Sequence, residues 1–266
     1  MAQDGVTHYV RYAHQGRHLF GILEGDTIKE LEGDLFCSTE EAGAAVVETG
    51  ATVALSDVRL LAPCQPSKVI AIGLNYHSHL KDRPAPEQIG VFSMFPSSII
   101  GPDEKIVIPA DTENVQYEGE LVVVIGKKAK NISPAEAPDH IFGVTAGNDV
   151  SERNWQRNDL QWFRAKGSDT FAPLGPALVT GLDYNDLMIE TRLNGEVRQH
   201  ESSADLIFGI DEIVSYVSRY VTLFPGDVIY TGTPGTTADM QAGDTVEIEI
   251  AGIGILRNKV VKGTNT

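Results

Sequence analysis

Residues 117–125 have the sequence YEGELVVVI, in which two acidic side chains stand at the beginning of an apolar run. Alternate residues of a β-strand share one face, so Glu118 and Glu120 point to the same side as Val122 and Val124. The opposite face is apolar throughout. A strand that is apolar on both faces is buried, and two buried carboxylates need compensation. Their mutual repulsion either raises a pKa or requires a cation between them.

A second pair of acids with the same spacing serves as an internal comparison. Glu247 and Glu249 lie in the sequence TVEIEI at 245–250, where the apolar residues occupy one face and the acids the other. That alternation predicts an ordinary solvated face. For Glu118 and Glu120, the pattern alone leaves two interpretations open. The pair is either a metal site or the end of a strand that emerges into water.

A third acid favours the metal site. Asp149 follows the apolar run at 141–146 and precedes a helix candidate at 151–164. Asp149 could cap that helix, with Glu152 completing a capping box, or Ser151 could cap the helix and leave Asp149 free. Three carboxylates with no cysteine or paired histidine nearby select a hard divalent cation. Mg²⁺ is therefore expected, with Mn²⁺ or Ca²⁺ as alternatives.

The chain divides near its first prolines. Its 266 residues suit one large domain, or one large and one small domain. Pro63 and Pro66 mark a junction, so we expect a small N-terminal domain over 1–62 and a main domain over 63–266. In the first part, short strands are predicted at 9–13, 18–23 and 27–30, and a short helix at 39–50.

The main part contains more strand signals than helix signals. Buried strands are predicted at 121–125, 141–146, 177–180, 191–193, 228–230, 246–250 and 255–261, and helices at 151–164 and 210–220. The fold class is therefore mostly β with some α (α+β). No glycine-rich phosphate-binding motif follows a strand, so a nucleotide fold has no support.

The charge balance excludes several classes of partner. Lys and Arg number 21 against 37 Asp and Glu, which gives a net charge of −16 at pH 7. Such acidity argues against nucleic acid and against anionic membranes. Cys37 and Cys64 are isolated, and neither a signal peptide nor an apolar run of roughly 20 residues is present, so we expect a cytoplasmic protein.

Several stretches, read together, resemble the fumarylacetoacetate hydrolase family. They follow the family's order over about residues 68–262, whereas any single one would be weak evidence. The matching stretches are GLNY at 73–76, YEGEL at 117–121, NDVS at 148–151, AKGSDTFAPLGP at 165–176, LNGE at 193–196, PGD at 225–227, TGTP at 231–234 and GIG at 252–254.

The resemblance implies a mixed β-roll catalytic domain, a small N-terminal β-rich domain and a homodimer. It also implies Mg²⁺ or Mn²⁺ bound by Glu118, Glu120 and Asp149. The implied substrates are small anionic 2-oxo or 2,4-dioxo acids, which react through a metal-stabilised enolate. Fold and metal transfer between family members more safely than the reaction does.

The resemblance also assigns catalytic roles. His79 is the general base that activates water, Asp82 orients it from three residues further on, and Lys166 stabilises the developing oxyanion. At positions i and i+3, His79 and Asp82 can meet on one helical turn.

The expected substrate-binding residues are Tyr76, Thr233 and Arg153. Arg153 and Arg164 are weaker candidates, since either could be a solvated helix residue. Trp162 is expected to contribute to packing.

The sequence departs from the family pattern at three places. Asp82 stands where relatives more often have Glu, Phe95 where many have Lys, and the residues at 235–238 differ from the usual Gly-Val-Gly continuation. These changes suggest a substrate unlike the best-known acylpyruvates, or less efficient hydrolysis.

Three functions therefore remain in competition. The leading interpretation is a metal-dependent hydrolase that cleaves a C–C bond in a 2,4-dioxo acid. The second is an oxaloacetate-type decarboxylase or a hydroxydienoate isomerase on the same site. The third is a catalytically weak protein that binds a metal and a 2-oxo acid.

Overall fold

A computed structural model describes residues 5–36 and 46–264. These residues form 19 strands and few helices. In chain order the strands are β1 (Thr7–His14), β2 (Arg17–Glu24), β3 (Thr27–Glu32), β4 (Val47–Ala54), β5 (Arg59–Leu61), β6 (Val69–Gly73), β7 (Gly90–Met94), β8 (Ile99–Ile100), β9 (Lys105–Ile108), β10 (Val115–Gln116), β11 (Gly119–Ile125), β12 (Ile141–Asn148), β13 (Ser151–Glu152), β14 (Ala172–Thr180), β15 (Met188–Leu193), β16 (Glu196–Ser202), β17 (Val228–Tyr230), β18 (Thr245–Ile250) and β19 (Gly254–Lys262).

The strands form two main sheets of mixed direction. The larger has 12 strands in the order β4-β3-β2-β1-β14-β12-β11-β17-β6-β7, with β5 beside β1 and β8 beside β14. The second sheet has the order β16-β15-β18-β19-β9, and β10 pairs with β13. Most pairs are antiparallel, but β6 with β17, β8 with β14 and β9 with β19 are parallel. The predicted mostly-β fold class is confirmed.

The N-terminal strands continue the large sheet through the pairing of β1 with β14, where Tyr9 faces Leu178. The three strands predicted between residues 9 and 30 are confirmed as β1, β2 and β3. The helix predicted at 39–50 is wrong where the structure describes it. Residues 47–50 belong to β4, and 39–45 lie outside the described residues.

Strand β11 lies at the centre of the large sheet, between β12 and β17, and is buried on both faces as predicted. Leu121 and Val123 pack in one hydrophobic cluster, and Val122 and Val124 in another. Because the strand has no solvent face, the carboxylates at its beginning are carried into the protein interior. The prediction of a strand end that emerges into water is therefore wrong.

The described residues form four α-helices: α1 (His77–Leu80), α2 (Arg153–Asn158), α3 (Phe163–Gly167) and α4 (Ile210–Tyr220). Short 3₁₀ helices occur at Leu55–Asp57, Pro96–Ser98, Pro134–His140, Leu160–Trp162 and Ser203–Asp205. The prediction at 210–220 is confirmed as α4. None of the helices described has the length and apolar character needed to span a membrane.

The helix predicted at 151–164 is broken. Residues 151–152 form β13, α2 ends at Asn158, and Gln161 and Trp162 adopt left-handed backbone conformations at φ 54° and 58°. Two successive residues in this region cannot continue a right-handed helix. The break redirects the chain and places Trp162 against a cavity described below.

Candidate active site

The pairing of β11 with β12 brings two of the predicted carboxylates together. The register places Gly119 opposite Asn148, so Glu118 and Asp149 lie side by side at the end of this ladder. The Asp149 N–H donates to the Glu118 carbonyl at 2.9 Å, and the Glu118 N–H donates to Oδ1 of Asn148 at 2.9 Å. Strand register, rather than sequence proximity, therefore creates the site.

Glu120 is held by the loop that follows β17. The Gly232 N–H donates to Oε2 of Glu120 at 2.7 Å. Gly232 has φ +110°, and a Cβ at this position would lie 2.7 Å from Cβ of Asn75. Both the conformation and the available space therefore require glycine, which allows the backbone N–H to reach the carboxylate.

The three carboxylates form a compact buried group. Glu118, Glu120 and Asp149 each offer an oxygen within 4.8 Å of the other two. Burial, together with repulsion from its two neighbours, raises the pKa of Glu120 well above its usual value. Burial also raises the pKa of Asp149, to about 7, against the opposing effect of Lys166. The group therefore needs positive charge nearby to remain ionised.

Lys166 supplies part of that charge. Its ammonium lies 2.7 Å from Oε2 of Glu118 and 2.6 Å from Oδ2 of Asp149, and its side chain is only 2% exposed. Burial lowers the pKa of Lys166, but the two carboxylates outweigh this effect, so the net shift is upward. For Glu118, burial raises the pKa, but Arg153 and Lys166 lower it by more.

The carboxylate group fits a hard divalent cation. All its donors are oxygens, which Mg²⁺ and Mn²⁺ prefer, and Oδ1 of Asp149 is a buried acceptor with no hydrogen-bond partner among the described residues. The alternative, that Asp149 caps the next helix, is wrong. The side chain of Glu152 accepts from the Trp155 N–H and is the actual cap of α2. Ser151 is not the cap either.

A cavity of about 270 Å³ opens above the carboxylates. Its floor is formed by the buried acids, Lys166 and Thr233, and its wall by Phe92 and Trp162, whose ring centroids lie 5.0 Å apart. Exposed side chains, among them Arg83 and Arg157, line the rest. Trp162 thus packs against Phe92, as expected, and also lines the cavity.

His79 lines this cavity, but Asp82 does not orient it. Nδ1 of His79 lies 2.8 Å from the Gly235 carbonyl oxygen. Asp82 is exposed and, in the described part of the chain, forms no hydrogen bond to His79. The predicted pair fails because α1 ends at Leu80 and Lys81 turns the chain at φ 56° and ψ −120°. Asp82 therefore does not lie on the helical turn that carries His79.

Arg153 reaches the site as expected. One of its terminal nitrogens lies 2.6 Å from Oε1 of Glu118 and 3.0 Å from Oγ1 of Thr237, and its Nε donates to Oε1 of Gln116 at 2.8 Å. Arg164 instead pairs with Asp159 and does not line the cavity.

Thr233 also lines the cavity, but its hydroxyl is already engaged. Oγ1 donates to the Gly119 carbonyl at 2.9 Å and accepts from Nε2 of Gln199 at 2.8 Å. A hydroxyl has one proton to donate, so in this arrangement Oγ1 has none for a substrate carboxylate. The hydroxyl instead anchors the loop to the beginning of β11.

Tyr76 lies outside the cavity lining. The residue is fully buried in the core, burial raises the pKa of its phenol, and its hydroxyl has no hydrogen-bond partner among the residues described. The structure therefore does not bring Tyr76 to the position of a substrate-binding residue. Phe95 also lies outside the lining, and its ring packs 5.4 Å from that of Phe163.

Sequence reasoning missed several residues of the site. The Gly235 carbonyl and the side chain of Gln199 come from a loop and from β16, and no local pattern marks them. Gln199 is 2% exposed, and its Oε1 also accepts from the Gly119 N–H at 3.1 Å. Arg83 and Arg157 lie in polar segments that read as ordinary surface. Only the three-dimensional arrangement reveals these four contributions.

Gly119 lies between the two glutamates with very little space around it. A Cβ at this position would lie 2.0 Å from Oγ1 of Thr191. We therefore expect Gly119→Ala to lower the free energy of unfolding by about 1–3 kcal/mol, as overpacking does. Urea denaturation measures the change.

A second substitution checks the cause. Oγ1 of Thr191 has no hydrogen-bond partner in the described chain, so Thr191→Ala alone should change stability little. Combined with Gly119→Ala, it should recover part of the loss. An unaffected Gly119→Ala protein would show that the two sheets are not tightly packed at this point.

The chain belongs to the fumarylacetoacetate hydrolase family. A family model described as "Fumarylacetoacetate (FAA) hydrolase C-terminal" matches residues 68–261, which include all three carboxylates. A second model, "Rv2993c-like, N-terminal", matches residues 7–63. The resemblance drawn from the sequence motifs is confirmed.

Three similar proteins show the range of names within the family. A solved structure titled 5-carboxymethyl-2-hydroxymuconate delta-isomerase from Mycobacterium smegmatis is 44% identical, with a TM-score of 0.89 over 96% of this chain and 100% of that one. Human mitochondrial oxaloacetate tautomerase FAHD2A is 43% identical over 221 residues, 77% of this chain and 70% of the relative.

The third is a maleylpyruvate hydrolase from Sphingobium sp. SYK-6, solved in complex with manganese (II) ion and pyruvate. It is 26% identical, with a TM-score of 0.78 over 97% of this chain and 100% of that one. Family membership is therefore shared by an isomerase, a tautomerase and a hydrolase, and the reaction has to be argued from the site.

Proposed function

We propose that this protein is a divalent-metal-dependent enzyme that interconverts the enol and keto forms of a small 2-oxo dicarboxylic acid of the oxaloacetate class. The observation that carries the proposal is the state of His79. Its ring is fixed by a neutral carbonyl, lines the cavity that holds the carboxylates and Lys166, and forms no hydrogen bond or ion pair with an acid in residues 5–36 or 46–264.

The contact with Gly235 determines which nitrogen of His79 is free. A carbonyl oxygen can only accept, so at 2.8 Å the hydrogen resides on Nδ1, and Nε2 carries the lone pair. Nε2 of His79 is therefore the nitrogen that can exchange a proton with a bound ligand. In ketonisation this nitrogen would move the proton of an enol, whereas in hydrolysis it would remove a proton from water.

The proton transfer balances without any other reactant. The enol O–H bond would break as Nε2 of His79 accepts the proton, and a C–H bond would form at the carbon next to the carbonyl as the Nε2–H bond breaks and returns that proton. The charge left on the oxygen lies near the ammonium of Lys166, which is already desolvated and fixed.

Glu118, Glu120 and Asp149 would hold the metal in this proposal. When bound, a divalent ion polarises the 2-oxo group and offsets negative charge on its oxygen. Lys166 then shares the carboxylates with the cation and remains a second source of positive charge. The names of the relatives are consistent with this chemistry, since two of the three rearrange hydrogen atoms.

Hydrolytic C–C cleavage of a 2,4-dioxo acid is the second candidate. It is supported by the presence of His79 in the cavity and by the similarity to the maleylpyruvate hydrolase. It requires the same histidine to activate water, and ketonisation does not. Decarboxylation of oxaloacetate would need no activated water.

A parallel assay distinguishes these reactions. Enol-oxaloacetate ketonisation is followed by the loss of enol absorbance, cleavage of acetylpyruvate and fumarylpyruvate by pyruvate release, and decarboxylation of oxaloacetate by CO₂ release. We expect only the first to be strongly accelerated with Mg²⁺ or Mn²⁺. Efficient pyruvate release without faster ketonisation would replace the proposal by the hydrolase.

The role of His79 has its own prediction. His79→Ala should slow ketonisation by about 10²-fold or more, the usual contribution of a positioned general base. His77→Ala is the matched control, because His77 is exposed, lies outside the cavity lining and stands only two residues away. Equal rates for the two variants would contradict the assignment of the base.

A further inference from the structure

Two arginines at the cavity have no carboxylate partner. Arg83 and Arg157 both line it, and neither forms an ion pair with any acid in residues 5–36 or 46–264. On a chain with 37 acidic residues and a net charge of −16, two cations that line one cavity without an acidic partner in the described chain require an explanation.

The remaining hydrogen bonds of these arginines are weak or neutral. Nε of Arg83 donates to the Leu80 carbonyl at 3.4 Å, and Arg157 donates to the side-chain oxygen of Asn154. Each guanidinium has five N–H donors, so most of them are uncommitted. The other cations of this region differ. Lys166 is bonded to Glu118 and Asp149, and Arg153 also to Glu118.

Two groups of cationic side chains therefore line the cavity. At its floor, the buried cations neutralise the metal-binding acids. At its exposed side, Arg83 and Arg157 offer a fork geometry that matches a carboxylate. Phe92 and Trp162 form the aromatic wall of this cavity. Both groups of cations line the same volume of about 270 Å³.

We infer that Arg83 and Arg157 bind the distal carboxylate of the substrate and make the site specific for dicarboxylic 2-oxo acids over monocarboxylic ones. The inference rests on the proposed function, because it assumes that the 2-oxo end of the acid lies at the carboxylate floor. The two arginines are specificity determinants and take no part in the proton transfer.

Paired ligands that differ only in the distal charge test the inference. Binding to the Mg²⁺-loaded protein is measured by calorimetry for oxaloacetate and 2-oxoglutarate. Each is compared with a monocarboxylic ligand of similar shape whose distal end is uncharged, 4-methyl-2-oxopentanoate and 5-methyl-2-oxohexanoate respectively. We expect the wild type to bind at least one dicarboxylate about 10- to 100-fold more tightly than its partner, the range for charge-assisted hydrogen bonds.

The double variant Arg83→Gln/Arg157→Gln should lose most of that preference and bind the two monocarboxylic ligands as the wild type does. Arg164→Gln is the control, since it removes one positive charge from the neighbouring segment but Arg164 lies outside the cavity lining. A preference that survives in the double variant, or an equal loss for both ligand types, would overturn the inference.

The ligand-binding experiment and the ketonisation assay can succeed or fail independently of each other. If the wild type prefers dicarboxylates and the double variant does not, the inference holds even if enol-oxaloacetate is not converted faster. If ketonisation is accelerated but the preference is unchanged in the double variant, the proposed function holds and the inference fails.

Discussion

Glu120→Gln is expected to weaken Mg²⁺ or Mn²⁺ binding by about 100-fold or more, the upper part of the range for changes close to a metal, and to remove activity with it. Glu120 is 1% exposed and lies within reach of Glu118 and Asp149. The amide keeps the shape of the side chain and an oxygen for the Gly232 N–H, but it removes the negative charge. Calorimetric titration of the metal-free protein measures the affinity.

Stability distinguishes this effect from misfolding. Three buried carboxylates repel one another, so the removal of one charge should leave the metal-free protein as stable as the wild type, or more stable. Glu249→Gln is the matched control. Glu249 belongs to the second acidic pair and lies half-exposed on β18 beside Arg192, so its change should leave metal affinity unaltered. Unchanged affinity in Glu120→Gln would remove this residue from the site.

Lys166→Met is expected to destabilise the metal-free protein by about 3–5 kcal/mol, the cost of leaving buried charges without their partner. The Lys166 ammonium bridges Glu118 and Asp149, and all three side chains are nearly inaccessible. A divalent cation should replace part of this lost charge. Metal present at 100 times its Kd stabilises a folded protein by about 2.7 kcal/mol.

We therefore expect Mg²⁺ to raise the unfolding temperature of Lys166→Met by more than it raises that of the wild type, in which lysine and metal share the same oxygens. Lys68→Met is the control. Lys68 lies 2.7 Å from the fully buried Asp227, which is not one of the three carboxylates. Mg²⁺ should therefore not restore the stability that Lys68→Met loses. Equal responses in all three proteins would contradict the account of Lys166.

The parts of the site that belong to strands were predictable from the sequence. The apolar run after Glu120 predicted a strand buried on both faces, but the pattern left open whether the acids at its beginning are buried, which the structure shows. The comparison with Glu247 and Glu249 also holds, since those side chains alternate with the buried Val246 and Ile248. Burial and periodicity are local properties, and a single sequence contains them.

The parts that depend on loops were not predictable. The His79–Asp82 pair assumed a helical turn that the backbone at Lys81 interrupts, and the actual partner of His79 lies at Gly235. The helix at 151–164 looked continuous because nothing in its residue types signals the left-handed conformation at Trp162. Contacts between residues distant in the chain decide these details.

The resemblance to a family identified the metal-binding acids but not the chemistry. It ranked hydrolysis first, with Asp82 as the residue that orients His79. The structure instead places the Gly235 carbonyl, and not Asp82, against Nδ1 of His79. The departures at Asp82 and in the loop at 235–238 are therefore connected, because that loop provides the replacement contact.

The central claim is that metal-assisted proton transfer on a 2-oxo dicarboxylic acid takes place at this site. The most direct test is the rate of enol-oxaloacetate ketonisation with the metal-free protein, with Mg²⁺ restored, and with Mg²⁺ plus excess EDTA. We predict a rate well above the protein-free control only when Mg²⁺ is available. A rate equal to that control under all three conditions, or an acceleration that survives EDTA, would contradict the claim.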